Sequence, residues 1–156
     1  IDHDFPNALT KALMAAGLSL ERGMGVLLSI ADQHKAEVAP LVRELDQAGC
    51  QLYATEGTAS MISAMGVAVT MTTKKMDEGH PNVVDVIEDG SVAAVINTVS
   101  EVSSVLRDGY LIRRAAAERQ VPCFTSLDTA RAAVQNLLMD HSNYSVQCID
   151  EYLAGS

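Results

Sequence analysis

From Val26 onward the chain alternates two periods, a short β-type run and then a segment whose apolar positions recur with helical spacing. No other feature constrains the fold as much, because strands separated by helices pair in parallel and a parallel sheet needs helices on both faces. "VLLSIA" (26–31) is the first strand, and "HKAEVAPLVRELDQAG" (34–49) is a helix with Val38, Leu41, Val42 and Leu45 on one stripe and Gly49 as its stop. "CQLYAT" (50–55) is the second strand, "TASMISAMG" (58–66) a helix ending on Gly66, and "VAVTMTT" (67–73) the third strand. "NVVDVIEDG" (82–90) reads as a short helix, "VAAVINTV" (92–99) as strand four and "DGYLIRRAAAERQ" (108–120) as a helix. "VPCFTS" (121–126) gives strand five and "LDTARAAVQNLLM" (127–139) a further helix. Five such units predict an α/β chain with a three-layer, five-stranded, mainly parallel, doubly wound sheet.

The two ends differ from this middle. Residues 1–17 read as a turn and one amphipathic helix, and "LSLERGMG" (18–25) as a glycine-containing linker. The tail, "NYSVQCIDEYLAGS" (143–156), suggests a short edge strand and a last helical turn. At 156 residues the chain suits one ordinary domain that buries its core without disulfides or metals. A formal net charge of -9 argues against non-specific binding to nucleic acid or an anionic membrane, so any anionic ligand must be held by a local cluster of donors. The 3 cysteines, Cys50, Cys123 and Cys148, lack the paired spacing of a zinc site or disulfide framework and read as buried, reduced thiols of a cytoplasmic protein. No apolar run approaches the roughly 20 residues of a membrane span, and the first residues lack the build of a signal peptide. The start without Met suggests a piece of something longer. The 7 Met residues read as core filler.

In an open parallel sheet, ligands sit beyond the carboxyl ends of the strands, where loops meet helix N-termini. Strand one ends in Ser29, Asp32 and Lys35, and strand two in Thr55, Glu56, Gly57 and Thr58. Strand three ends in Thr72, Thr73, Lys74 and Lys75, and strand four in Asn97, Thr98 and Ser100. Hydroxyls, an amide and ammonium groups thus gather along a single rim. "TEGT" (55–58) serves either as plain capping, with Thr58 as the cap, or as an anion seat in which Gly57 turns the backbone tightly and free N–H groups face the ligand. Lys35, in the first turn of a helix, opposes the helix dipole by about 0.3–1 kcal/mol, a conflict that a nearby phosphate or carboxylate removes and that swinging into water also relieves.

Candidates for chemistry are poor. His34 lies near this rim without an obvious carboxylate partner, and "GHPN" (79–82) makes a turn and caps the next helix. No nucleophile, base and orienting group assemble.

Five ordered blocks carry a resemblance: "LLSIADQHK" (27–35), "LYATEGTA" (52–59), "KKMDEGHPNVVDVIEDG" (74–90), "VINTVS" (95–100) and "DGYLIRRAAAERQVPCFTSLDTARAAV" (108–134). At these spacings, over about residues 25–138, the chain resembles the allosteric domain at the carboxyl end of carbamoyl-phosphate synthetase large subunits, within the methylglyoxal synthase-like superfamily. "IDHDF" and "KALMAAG" look like the last helix of the preceding synthetase domain, which implies residues 1–24 as the end of that domain plus a linker and 25–156 as the methylglyoxal synthase-like domain with its Rossmann- or flavodoxin-like sheet. The resemblance implies a pocket for a phosphorylated nucleotide effector, UMP or IMP, lined by Ser29, Lys35, Thr55, Gly57, Thr58, Lys75, Asn97 and Thr98. It implies no catalytic residue and no cofactor in this stretch. The parent enzyme would be a cytoplasmic ligase that uses ATP with Mg or Mn, partnered by a small glutaminase subunit, and homo-oligomers are compatible with it.

Two departures stand out: Val99 replaces a hydroxyl of some relatives, and "SEVSSVLRDGY" (100–110), read as a loop, is acidic and apolar where many carry Gly and Arg. A methylglyoxal-forming lyase would carry a catalytic aspartate and histidine where this chain has His80 and Ala31, and an N-acetylglutamate reader would carry a tryptophan, of which this chain has 0. The cyclohydrolase branch of purine synthesis would continue into further sequence, and a ligand-free oligomerisation module is another alternative.

Overall fold

The structure is a computed structural model and describes residues 1–73, 79–98, 103–138 and 146–154. Five strands form one sheet in the order β3-β2-β1-β4-β5: β1 (Gly25–Ser29), β2 (Gln51–Thr55), β3 (Thr70–Thr72), β4 (Ala94–Asn97) and β5 (Cys123–Phe124). Every pairing is parallel, as the alternation of periods requires. The helices that cross between them are α2 (Lys35–Gln47), α3 (Glu56–Ala64), α4 (Val83–Glu88) and α5 (Ser103–Glu118), and α6 (Leu127–Leu138) follows β5. Before and after this unit stand α1 (Phe5–Ala15) and α7 (Ile149–Ala154).

Alternation along each strand sorts the side chains into two cores. Val26 and Leu28 of β1 join Val38, Leu41, Val42 and Leu45 of α2, Ile62 of α3 and Val134 of α6 on one face of the sheet. Leu27 points the other way, into a core with Val86 and Ile87 of α4 and Ile112, Ala115 and Ala116 of α5. The sheet is therefore covered on both sides, which gives the expected three layers. No helix among the described residues is long and apolar enough to cross a membrane.

The boundaries depart from the sequence reading where tertiary pairing ends. β3 and β5 each pair on one side only, so each is shorter than its apolar run: β3 ends with its partner Thr55, and β5 holds two residues beside β4. The expected loop 100–110 is helical from Ser103, and Gly109 lies inside α5. Of the expected edge strand in the tail, residues 143–145 lie outside the described residues and 146–148 are irregular, whereas the last helical turn is present as α7. Leu13 of α1 and Leu20 pack into the α2/α3/α6 core, and the Thr10 hydroxyl donates to Asn136 Oδ1 at 2.7 Å, so the N-terminal segment is docked against α6.

Asn82 caps α4 as expected: its Oδ1 accepts from the N–H groups of Val84 and Asp85 at 2.9 and 3.0 Å, and Asp85 Oδ2 accepts from the Asn82 N–H at 2.9 Å. The cysteines are less uniform than expected. Cys50 is buried, Cys123 half-buried and Cys148 exposed. Burial pushes the Cys50 and Cys123 thiols up, which leaves them protonated and unreactive. Met24, Met61 and Met65 pack on the core, but Met14 and Met71 are exposed.

Candidate functional site

Strand register builds the site. β1 and β4 place Ser29 opposite Asn97, β2 and β3 place Thr55 opposite Thr72, and the Leu28–Ala54 pair aligns the ends of β1 and β2. Thr72, Thr55, Ser29 and Asn97 therefore form one polar row across four adjacent strands at the carboxyl edge. The residues two positions earlier, Tyr53, Leu27 and Val95, belong to the α4/α5 core, so the row lies on that side of the sheet. All four are buried, and the Thr72 hydroxyl has no hydrogen-bond partner among the described residues. Ending four central and edge strands on buried hydroxyl and amide groups is costly unless something satisfies them.

Two threonines secure the loop that leaves β1. The Thr58 hydroxyl accepts from the Ile30 N–H at 3.1 Å, and the Thr98 hydroxyl accepts from the Ala31 N–H at 2.8 Å. The Thr55 hydroxyl donates to Thr58 Oγ1 at 3.4 Å, linking the corner to the row. This corrects the sequence reading of Thr58 as a helix cap. Thr55 holds the N-cap position of α3 without a side-chain cap bond, and Thr58 sits in the first turn with its hydroxyl turned to β1.

Lys35 is the first residue of α2, after a single 3₁₀ turn over Asp32–His34. Its ammonium lies 2.7 Å from Asp32 Oδ1, so a carboxylate of its own loop already eases the conflict with the helix dipole. A Cβ on Gly57 would stand 3.0 Å from Lys35 Nζ. Gly57 is not among the residues with positive φ, so the glycine eases this close approach and does not serve a tight turn. Lys35 thus overhangs the first turn of α3, where N–H groups carry partial positive charge.

Asn97 is held from two sides. Its Nδ2 donates to the Ser29 carbonyl at 3.4 Å, and Arg113 Nη1 donates to its Oδ1 at 2.7 Å. Arg113, from the middle of α5, is the residue that sequence reasoning missed. The available signal was Gly109, one helical turn earlier, where a Cβ would stand 2.8 Å from Arg113 Nη1 and 3.3 Å from Asn97 Oδ1. Of the predicted residues, Ser29, Lys35, Thr55, Gly57, Thr58, Asn97 and Thr98 meet along this rim through the contacts above. Lys75, with Lys74, Val99 and Ser100, lies outside the described residues.

A cleft of about 300 Å³ adjoins the rim beside β4 and β5, lined by His34, Glu37, Thr98, Thr125, Ser126 and Asp128. The strand order reverses between β1 and β4, the point at which open sheets of this kind receive ligands. His34 Nδ1 is buried and has no hydrogen-bond partner among the described residues. Among the described residues no cluster of three or more His, Cys, Asp or Glu side chains is arranged to hold a metal ion.

Residues 37–125 match the family model of the MGS-like domain. The chain belongs to that family. This MGS-like domain is 49% identical, over 97% of its length, to the carbamoyl phosphate synthase large chain of Thermomicrobium roseum, of which it spans 14%. It is 38% identical, over 99% of its length, to the C-terminal section of the carbamoyl phosphate synthase large chain of Methanopyrus kandleri, of which it spans 29%. The crystal structure of methylglyoxal synthase from Elizabethkingia anophelis NUHP1 shares its fold, with a TM-score of 0.54, 18% identity and coverage of 86% of this chain and 92% of that one. Within the MGS-like domain, Thr55, Gly57, Thr58, Asn97 and Thr98 fall inside the matched stretch, whereas Ser29 and Lys35 precede it.

Proposed function

We propose that this MGS-like domain is the regulatory, non-catalytic part of a larger carbamoyl-phosphate synthase large chain, and that it binds a phosphorylated nucleotide such as UMP or IMP. The observation that carries the reading is the meeting of Lys35 with the glycine-opened start of α3, above the buried polar row Thr55, Ser29 and Asn97. A helix N-terminus with an adjacent ammonium and recessed hydroxyls suits a phosphate, and the site works against a net charge of -9 only because its donors are local. Asp32 is the ammonium's resting partner, and a doubly charged phosphate competes for it. Lys75, which lies outside the described residues, is assigned to the same phosphate by the resemblance alone.

The parent chain would make carbamoyl phosphate from glutamine-derived ammonia, bicarbonate and ATP with Mg or Mn, in the cytoplasm and beside a small glutaminase subunit. Effector binding would shift a pre-existing equilibrium of the contact with the synthetase domain, by no more than its differential affinity for the two states. The docking of α1 on α6 supports residues 1–24 as the carrier of that shift.

Calorimetric titration with UMP and IMP tests the reading. Saturable binding by the wild type and its loss in Lys35→Ala supports it; equal heats from both proteins overturns it. Turnover of dihydroxyacetone phosphate by the chain would instead assign a methylglyoxal-type lyase.

A further inference from the structure

The Arg113–Asn97 contact has no role in the reading above. Asn97 is 2% exposed, and its two faces are chemically distinct: the oxygen accepts, the nitrogen donates. A guanidinium has donors only, so the Arg113 Nη1 contact at 2.7 Å obliges Asn97 to turn its oxygen toward α5. The NH₂ group must then face the end of β1, where one of its hydrogens meets the Ser29 carbonyl at 3.4 Å. That carbonyl also accepts from the Thr98 N–H at 3.1 Å, so the Asn97 amide is weakly held on this side and retains donor capacity at the rim. Gly109 explains how the arginine reaches its place, since a Cβ there would crowd both Arg113 Nη1 and Asn97 Oδ1.

We propose that Arg113 is a positioning residue of the anion site: through Asn97 Oδ1 it locks the side-chain amide with its donor facing the carboxyl edge of β1, and Gly109 keeps the space the guanidinium needs. The inference rests on the nucleotide reading only for its effect on affinity. Without Arg113 only the long contact to the Ser29 carbonyl orients the amide, and a flipped Asn97 would present an acceptor, which repels a phosphate oxygen.

Two measurements on the 156-residue chain test it. In ¹⁵N-resolved spectra, the Asn97 side-chain amide pair should shift or double in Arg113→Met and in Gly109→Ala, and should return toward the wild-type position in Arg113→Lys, which restores one donor. Unchanged Asn97 amide signals in Arg113→Met would overturn the proposal whether or not a nucleotide binds. In titrations with UMP and IMP, Arg113→Met should bind about three- to tenfold more weakly, as expected for one lost oriented hydrogen bond. The double variant Arg113→Met/Asn97→Ala should bind no worse than Asn97→Ala alone. Additive losses would show that Arg113 acts independently of Asn97 and would also refute it. Unaltered affinity in Lys35→Ala removes the nucleotide reading and leaves the amide spectra to decide the positioning.

Discussion

Two corners of the same rim use the same device with opposite results. At the β2–α3 corner, Gly57 makes room for the Lys35 ammonium; at the β4–α5 corner, Gly109 makes room for the Arg113 guanidinium. The lysine ends on Asp32, whose side chain is 94% exposed, while the arginine ends on the buried Asn97. An ion pair with a solvated carboxylate is worth little and exchanges readily, whereas a charge-assisted bond to a buried amide is hard to replace. The exposure of the partner, more than the cation itself, decides which cation can exchange partners and which is committed to structure.

That contrast is broken or sharpened by a graded set of variants. The largest effect is expected from Asn97→Ala, which removes the acceptor of a charged donor and should lower the unfolding free energy by about 2–3 kcal/mol in urea titrations. A loss no greater than that of Asp32→Asn would erase the distinction between the corners. Thr58→Val keeps the shape but leaves the buried Ile30 N–H without its acceptor, so a loss of about 1–2 kcal/mol should appear in the same titrations. Asp32→Asn should change stability by less than about 0.5 kcal/mol. On the nucleotide reading proposed above, it should nevertheless raise affinity for UMP or IMP about two- to fivefold by releasing the Lys35 ammonium, and weaker binding would place Asp32 in the proposed site.

The smallest effect lies at a third corner, the start of α4. The Asn82 N–H, and after it His80, hold the Asp85 carboxyl below its ordinary value of 3.8. A carboxyl whose folded value is depressed contributes stability above its unfolded value and loses it as the pH falls through the folded value. The difference in melting temperature between wild type and Asp85→Asn should therefore be present at about pH 5 and shrink toward zero below about pH 4. A difference that persists at lower pH would mean that Asp85 acts through packing and not through its charge.

The rim was readable because strand ends are marked locally. "TEGT" and "INT" follow apolar runs, and an apolar run followed by a helical period points to the carboxyl edge of a parallel sheet. Ser29, Thr55 and Asn97 were placed there on that ground, and the register now aligns them. The roles within the rim were less readable. Thr58 and Thr98 bond to Ile30 and Ala31, residues 28 and 67 positions away, and no local pattern encodes a partner so distant in sequence. Gly109 falls within the helix expected from 108, but nothing local in the sequence says that it makes room for Arg113 beside Asn97, a contact between α5 and β4.

By itself the sequence determined the order of strands and helices, the parallel sheet and the edge at which polar groups collect, since two alternating periods of hydrophobicity admit little else. Tertiary structure decided which cation stays exchangeable, which amide is locked and where each hydroxyl turns. Those outcomes depend on register and on the approach of side chains across the sheet, and both are set by packing between segments far apart in the chain.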